Sequence, residues 1–395
     1  MRWTLHHAHL VEAAGEQHNA ALTVEDERIV AAGQDAGSQE LALDVDGAIV
    51  VPGFVDVHTH GGGSFNLHTT DPDEIHAYAR WAPSTGTTSF LLGVVGVPGT
   101  LPEAQIRAAI AAIEAGERGA EPLGIHLEGP YMSVKRRGAH DPSWLRRPDP
   151  AETERLLALT QGYLRLITLA PELPNADAMI QRLVAAGVTV SIGHTDASYE
   201  EARDAIPLGI THATHCFNAM RPLHHREPGP LGAIVEAQSV RGELIADGVH
   251  VHPAALRIML RALGPERAIV VTDALSCAGL PDAEFTFGGQ PARVIDGVAR
   301  LSDGTITGSV LTMDQALRNL VERVDVPLPA AVGMLTLNPA RSAGVTQRKG
   351  RLQPGYDADL AIFDADLQLQ ATICRGRLAF ATDAWRDRLA ALDAA

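Results

Sequence analysis

Eight short apolar runs, rich in β-branched residues, recur along the chain with segments of helical length between them. They read AIVVPGFVDVHTH (48–60), TTSFLLGVV (87–95), PLGIHLEG (122–129), LRLITLAPE (164–172), VTVSIGHT (188–195), GITHATHCFN (209–218), ELIADGVHV (243–251) and AIVVTDA (268–274). Strands this continuously apolar belong in a parallel sheet covered on both faces. The Ala/Leu/Glu/Arg stretches at 102–118, 174–187, 198–206 and 253–263 supply the covering helices. Eight such units suit a (β/α)8 barrel of TIM type, with a doubly wound open sheet as the alternative.

Polar residues cluster where the runs end. His58 and His60, Glu128, Glu172, His194, His215, His250 and Asp273 all stand at or just past the C-terminal end of a run. A barrel gathers those ends around one mouth, where sites of this fold are built. Side chains two apart on a strand share a face, so His58 and His60 project together. Taken singly, each residue has a structural reading: Glu128 as a cap, Asp273 as a helix N-cap, His215 as a core histidine, His194 as a helix-entry residue. Six of them at one mouth favour a hydrolytic metal site, which needs nitrogen and oxygen ligands from several elements plus a base. Ligation dominated by histidine suits zinc or iron rather than magnesium. His126 shares a face with Glu128 and reads as packing or support, while the spacing of His212 from His215 turns it toward the helix layer.

The flanks differ. Residues 1–49 and 345–395 alternate in short pieces broken by Gly and Asp, and read as one small β-sandwich made from both chain ends. Residues 50–344 form the barrel, with exit helices near 310–324 and 329–336. Histidines 6, 7 and 9 fall in the flanking sheet and receive no role. A net charge of −16 excludes non-specific binding to nucleic acid or anionic membranes. No segment approaches a membrane span, the N-terminal stretch lacks the apolar core of a signal peptide, and three scattered cysteines suggest no disulfide framework. The cytoplasm is the expected compartment.

The strand-one His-x-His, the strand-five and strand-six histidines, the strand-eight Asp and the tail GYDADLAIF resemble the amidohydrolase superfamily. More narrowly, HLEGPYMSVKRRGAH, GHTDAS, THCFNAMRPLHHREPG, DGVHV, VTDAL and ITGSVLTM resemble the N-acetylglucosamine-6-phosphate deacetylases, in order from about residue 50 to 363. That resemblance implies that Glu128, His194 and His215 hold a divalent metal, zinc foremost, with iron, manganese and cobalt as alternatives. Some family members lack the His-x-His pair and bind one ion; the presence of His58 and His60 resembles the two-metal members, in which Glu128 bridges. Asp273 would be the catalytic base and acid, and His140 would stabilise the oxyanion. The backbone amides of Asn218 and Ala219 and the side chain of Arg226 would take the phosphate. His250, Ala139 and the loop Ile306, Thr307, Gly308 and Ser309 would contact the sugar. In the family this arginine reaches a neighbouring subunit's site, which implies a homodimer. KRRG (135–138) would be a basic lid or a solvated loop.

Dihydroorotases and hydantoinases bridge their metals with a carboxylated lysine on strand four. LRLITLAPE has no lysine; the chain's two are Lys135 and Lys349. The implied reaction is deacetylation of N-acetylglucosamine 6-phosphate, in amino-sugar catabolism or cell-wall recycling. The alternatives are another amidohydrolase activity, such as a deaminase or an N-acyl-amino-acid hydrolase, or a non-catalytic barrel serving as a binding protein.

Overall fold

The structure is a computed structural model that describes residues 1–33, 41–116, 118–281, 284–287 and 290–392. Eight strands pair side by side, in chain order and all parallel: β1 (Phe54–Thr59), β2 (Thr87–Val95), β3 (Glu121–Glu128), β4 (Leu164–Leu169), β5 (Thr189–Ile192), β6 (Ile210–Ala213), β7 (Arg241–Ile245) and β8 (Ala268–Val271). Every residue of β1, β2 and β8 is buried, which is why these segments carry no polar alternation. The ring closes between β8 and β1, where the Asp273 amide donates to the His58 carbonyl and the His60 amide to the Ala274 carbonyl, each at 2.8 Å. The buried carboxylate of Asp56 braces this seam, accepting the Thr272 hydroxyl at 2.5 Å and the His58 amide at 3.3 Å.

Helices Glu103–Ala115, Ala176–Ala185, Tyr199–Ala205 and Pro253–Leu263 lie inside the windows expected for them. Their starts follow local chemistry. Ser198 and Glu201 make a reciprocal capping box ahead of Tyr199–Ala205, and Asp71 and Asp149 cap the helices Pro72–Trp81 and Pro150–Thr160. The exit helices are Met313–Val324 and Leu328–Leu335.

Strands from both chain ends meet in a second sheet, ordered 377–381, 369–374, 360–363, 49–52, 2–12, 15–25 and 28–33, with 41–44 beside 2–12. They share a core that includes Trp3, Leu5, Leu22, Ile29, Ile362 and Ile373. The first apolar run is two strands rather than one. Ile49–Pro52 pairs with the terminal sheet, and the chain passes to β1 at Gly53, where a Cβ would stand 2.2 Å from the Thr88 side chain. A three-stranded antiparallel sheet (Glu284–Phe287, Gln290–Ile295, Val298–Leu301) follows β8, in a segment to which the sequence reading assigned no element.

Barrel and terminal sheet are joined by a buried ion cluster. The Lys349 ammonium lies 2.8 Å from Glu121 at the start of β3, 2.8 Å from Asp357 and 2.5 Å from Asp359. Arg348 adds a two-pronged contact to Glu121 at 2.7 and 2.6 Å. Burial opposes a charge on Lys349, but Asp359, Glu121 and Asp357 overcome it and raise its pKa. Removing one member of such a cluster leaves buried charge uncompensated. Lys349→Met is therefore expected to destabilise the fold by about 3–5 kcal/mol. Lys135→Met, whose side chain is 78% exposed and paired with Asp196, should cost no more than about 1 kcal/mol. Urea unfolding of the two variants checks the contrast.

Candidate metal centre and cleft

The strand ends deliver the polar residues in register. Glu128 is the last residue of β3 and His60 directly follows β1. His194, His215 and Asp273 each lie two residues beyond β5, β6 and β8. These three share a second property, a left-handed backbone with φ of 48°, 26° and 47°. Non-glycine residues in that region cost about 1–3 kcal/mol each and persist where their surroundings hold them. Here the Asp273 amide is tied to His58, the His215 amide donates to Glu243 Oε2 at 3.0 Å, and the His194 carbonyl accepts the Ser133 amide at 2.9 Å.

Five imidazoles converge on one carboxylate. Glu128 Oε1 is 3.1 Å from His194 Nε2, 3.3 Å from His215 Nε2 and 3.4 Å from His58 Nε2; Oε2 is 3.1 Å from His60 Nε2 and 3.3 Å from His140 Nε2. Asp273 Oδ1 is 3.4 Å from the Nε2 atoms of both His58 and His60. His194 Nε2 and His215 Nε2 face each other at 3.1 Å. All six groups around Glu128, Asp273 included, are buried, and His58 Nε2 has no hydrogen-bond partner. Nitrogens and carboxylate oxygens that face one another in this way fit a divalent cation of the zinc class. Two sets of three donors lie close enough to share an ion: His58, His60 and Asp273, and Glu128, His140 and His194. His140, expected as an oxyanion donor and substrate contact, also stands within reach of the same cation.

A second carboxylate, missed by the sequence reading, supports the first. Glu243 of β7 is fully buried; its Oε2 contacts His58 Nδ1 at 2.9 Å and its Oε1 contacts His212 Nε2 at 2.8 Å. This leaves His58 Nε2 aimed at Glu128 and Asp273. His212 does touch the helix layer through Ser342 at 2.9 Å, but its other nitrogen completes the Glu243 pair, so it is more than a helix-facing residue. The signal available was an acid opening a run predicted to be buried. His126 packs edge-on against His58 and bonds Thr168, in line with a supporting place.

Charge follows the geometry. Burial alone would lower His58, but Glu243, Asp273 and Glu128 outweigh it and raise its pKa; His60 is lifted to about 9 against the same burial by Asp273 and Glu128. Burial lowers His194 to about 4, with the neighbouring His215 and His140 opposing the pull of Glu128, so its ring is neutral near pH 7 and available as a ligand. Burial would raise Asp273, yet His58 and His60 bring it down to about 2.

A cavity of about 190 Å³ opens over the centre. Ala139, His140, Asn218, Ala219, His250, Ile306, Thr307 and Gly308 all line it. Ser309 does not. Its hydroxyl is buried and donates to the Thr272 carbonyl at 2.5 Å, so it closes the β8 end rather than facing a sugar. The Asn218 amide, expected on a phosphate, donates to the His215 carbonyl at 2.9 Å. Arg226 is exposed beside His225 and does not line this cavity. Lys135 and Arg136 are pinned to Asp196 at 3.2 and 2.9 Å, and Glu172 braces the loop after β5 through Thr195 and Asp196. Phe287, from the three-stranded insert, forms part of the wall edge-on to His60 and His140.

Residues 49–384 match the amidohydrolase family model. The chain is 36% identical to the N-acetylglucosamine-6-phosphate deacetylase of Lysinibacillus sphaericus over 95% of this chain and 97% of that protein. It is also 36% identical to the N-acetylgalactosamine-6-phosphate deacetylase of Escherichia coli O157:H7, over 85% of this chain and 88% of that one. A mutant N-acetyl-D-glucosamine-6-phosphate deacetylase from Mycobacterium smegmatis, solved in complex with N-acetyl-D-glucosamine-6-phosphate, superposes with a TM-score of 0.90 at 37% identity, covering 96% of this chain and 99% of that one. The chain belongs to the amidohydrolase family.

Proposed function

We propose that the protein hydrolyses the N-acetyl group of N-acetyl-D-glucosamine 6-phosphate to acetate and D-glucosamine 6-phosphate, in amino-sugar catabolism or cell-wall recycling. The observation that carries this is the convergence of five imidazoles on Glu128, with Asp273 beside them on the wall of the cavity. Similarity to deacetylases over nearly the whole chain supports the choice of substrate. The relative named for the galactosamine epimer is just as similar in identity, so that sugar is the competing substrate.

Glu128, His194 and His215 would hold one divalent metal, with His58, His60 and Asp273 available to a second. The nitrogen-rich set favours zinc, and iron, manganese and cobalt accept the same donors. A bound ion supplies Lewis acidity, acidifying water and polarising the amide carbonyl. Asp273 takes the proton as water oxygen bonds to the acetyl carbon, then returns it to nitrogen as the C–N bond breaks. His140, on the cavity wall, donates to the oxygen that gains charge. Glu243 keeps His58 in the tautomer that presents Nε2. The sugar lies along His250, Ala139 and the Ile306–Gly308 loop, and the phosphate against the turn at Asn218 and Ala219.

Arg226 would come from the second copy of a homodimer, a reading supported by its exposed loop and its place outside its own cavity. Cytoplasmic residence is proposed on the three free, buried cysteines. Among the described residues, no helix is long and apolar enough to cross a membrane.

Asp273→Asn should lower kcat by about 10²–10⁴-fold, the range for loss of a general acid–base group, while metal content by elemental analysis stays unchanged. Near-normal acetate release would overturn the assignment. Arg226→Ala should raise KM for the 6-phosphate by about 10- to 100-fold, the loss of a charge-assisted hydrogen bond, and leave KM for free N-acetylglucosamine unmoved. Equal effects on both would exclude a phosphate role, and running the galactosamine epimer alongside ranks the two sugars. Glu243→Gln should weaken metal affinity by about 10–100-fold, read by competition with a chelator, without unfolding the chain.

A further inference from the structure

Four of the chain's seventeen histidines (His6, His7, His9 and His18) fall in its first eighteen residues, none of them lines the cavity over the barrel centre, and the deacetylase reading uses none of them. We propose that His9, Glu16 and His18 form a second, independent site for a divalent transition-metal ion on the terminal sheet.

The three residues sit on the hairpin made by strands Arg2–Glu12 and Gly15–Glu25. Leu10 pairs with Gln17 and Ala8 with Ala20, so His9 alone stands opposite two residues, His18 and Asn19. This is a β-bulge, and Asn19 takes the left-handed conformation that goes with it, φ 50°. The extra residue keeps His18 on the face of His9, and Glu16, two positions before His18, shares that face. One ligand atom from each of the three lies within 4.8 Å of the others. His9 Nε2 is 2.9 Å from Glu16 Oε2, and the rings of His9 and His18 stack at 3.9 Å. The platform is firm, because the His9 amide donates to the Ala48 carbonyl at 2.9 Å and the next strand, Ile49–Pro52, pairs with this one.

A simple ion pair explains only part of this. His9 and Glu16 alone would make an exposed pair worth about 0–1 kcal/mol, with no need for a second imidazole stacked on the first. Protonating both rings would set two like charges face to face. One divalent ion instead uses both imidazoles as neutral ligands and the carboxylate as counter-charge, with water completing its shell. Two nitrogens and one oxygen favour zinc, copper, nickel or cobalt over magnesium and calcium. His7 does not contribute: its ring faces Asp44 at 3.0 Å.

The test separates this site from the barrel centre. A His58→Ala/His60→Ala/His194→Ala/His215→Ala full-length variant, stripped of metal and titrated calorimetrically with Zn²⁺ alone, should lose uptake at the barrel and keep one equivalent. Adding His9→Ala and His18→Ala should remove that equivalent, and Glu16→Gln, in place of the histidine changes, should weaken it by tenfold or more. On the chain with an intact barrel, the His9→Ala/His18→Ala pair should leave kcat and KM for acetate release unchanged while zinc content falls by one equivalent. Identical zinc uptake with and without His9 and His18 would overturn the proposal, as would no uptake at all in the barrel variant. The substitutions are on an exposed hairpin face, and circular dichroism confirms the fold in each case.

Discussion

Glu128 carries more contacts than a carboxylate can satisfy by itself. Two oxygens offer about four lone-pair directions, and five imidazole nitrogens stand 3.1–3.4 Å away. Some of those nitrogens must be protonated, or a cation must lie among them. His194 and His215 sharpen the point, since their two Nε2 atoms lie 3.1 Å apart and can be satisfied by an N–H of one ring or by a shared cation. The barrel places this demand at the mouth because β3 ends there, and the other strands bring their ligands to the same level. Much of the remaining architecture can be read as a means of holding that level.

The seam between β8 and β1 is the most exacting part. Its two hydrogen bonds run through the backbones of His58, His60, Asp273 and Ala274, so barrel closure and the placement of these side chains are one event. Asp56 and Ser309 both serve Thr272 rather than the cleft. The left-handed residues at His194, His215 and Asp273 turn the chain just past each strand, which aims the side chain inward instead of along the strand axis. Strain at these three positions is tolerable only because neighbouring elements hold the same atoms in place.

The sequence made much of this legible because periodicity and position survive without coordinates. Eight apolar runs announce a covered parallel sheet, and polar residues at their ends announce a mouth. What escaped depended on contacts between distant segments. Glu243 looks like an ordinary acid opening a strand, and only the approach of His58, 185 residues away, makes it a support. Phe287 enters the cavity from a three-stranded insert whose pairing no local pattern advertised. Ser309 sits in a motif suited to a sugar, yet its hydroxyl is spent on a carbonyl two ångströms and a half away. Parity placed His212 against the helices correctly but could not show its second nitrogen reaching Glu243.

The two acids nearest the histidines are not interchangeable, and the geometry says why. Glu128 is contacted on both oxygens and its side chain is 4% exposed, whereas the close imidazole contacts of Asp273 fall on Oδ1 alone and its side chain is 13% exposed. An acid engaged on both sides can bridge but cannot readily exchange protons with a substrate. An acid held by one oxygen, on the cavity wall, can. Glu128 is delivered by β3, between the histidines of β1 on one side and those following β5 and β6 on the other.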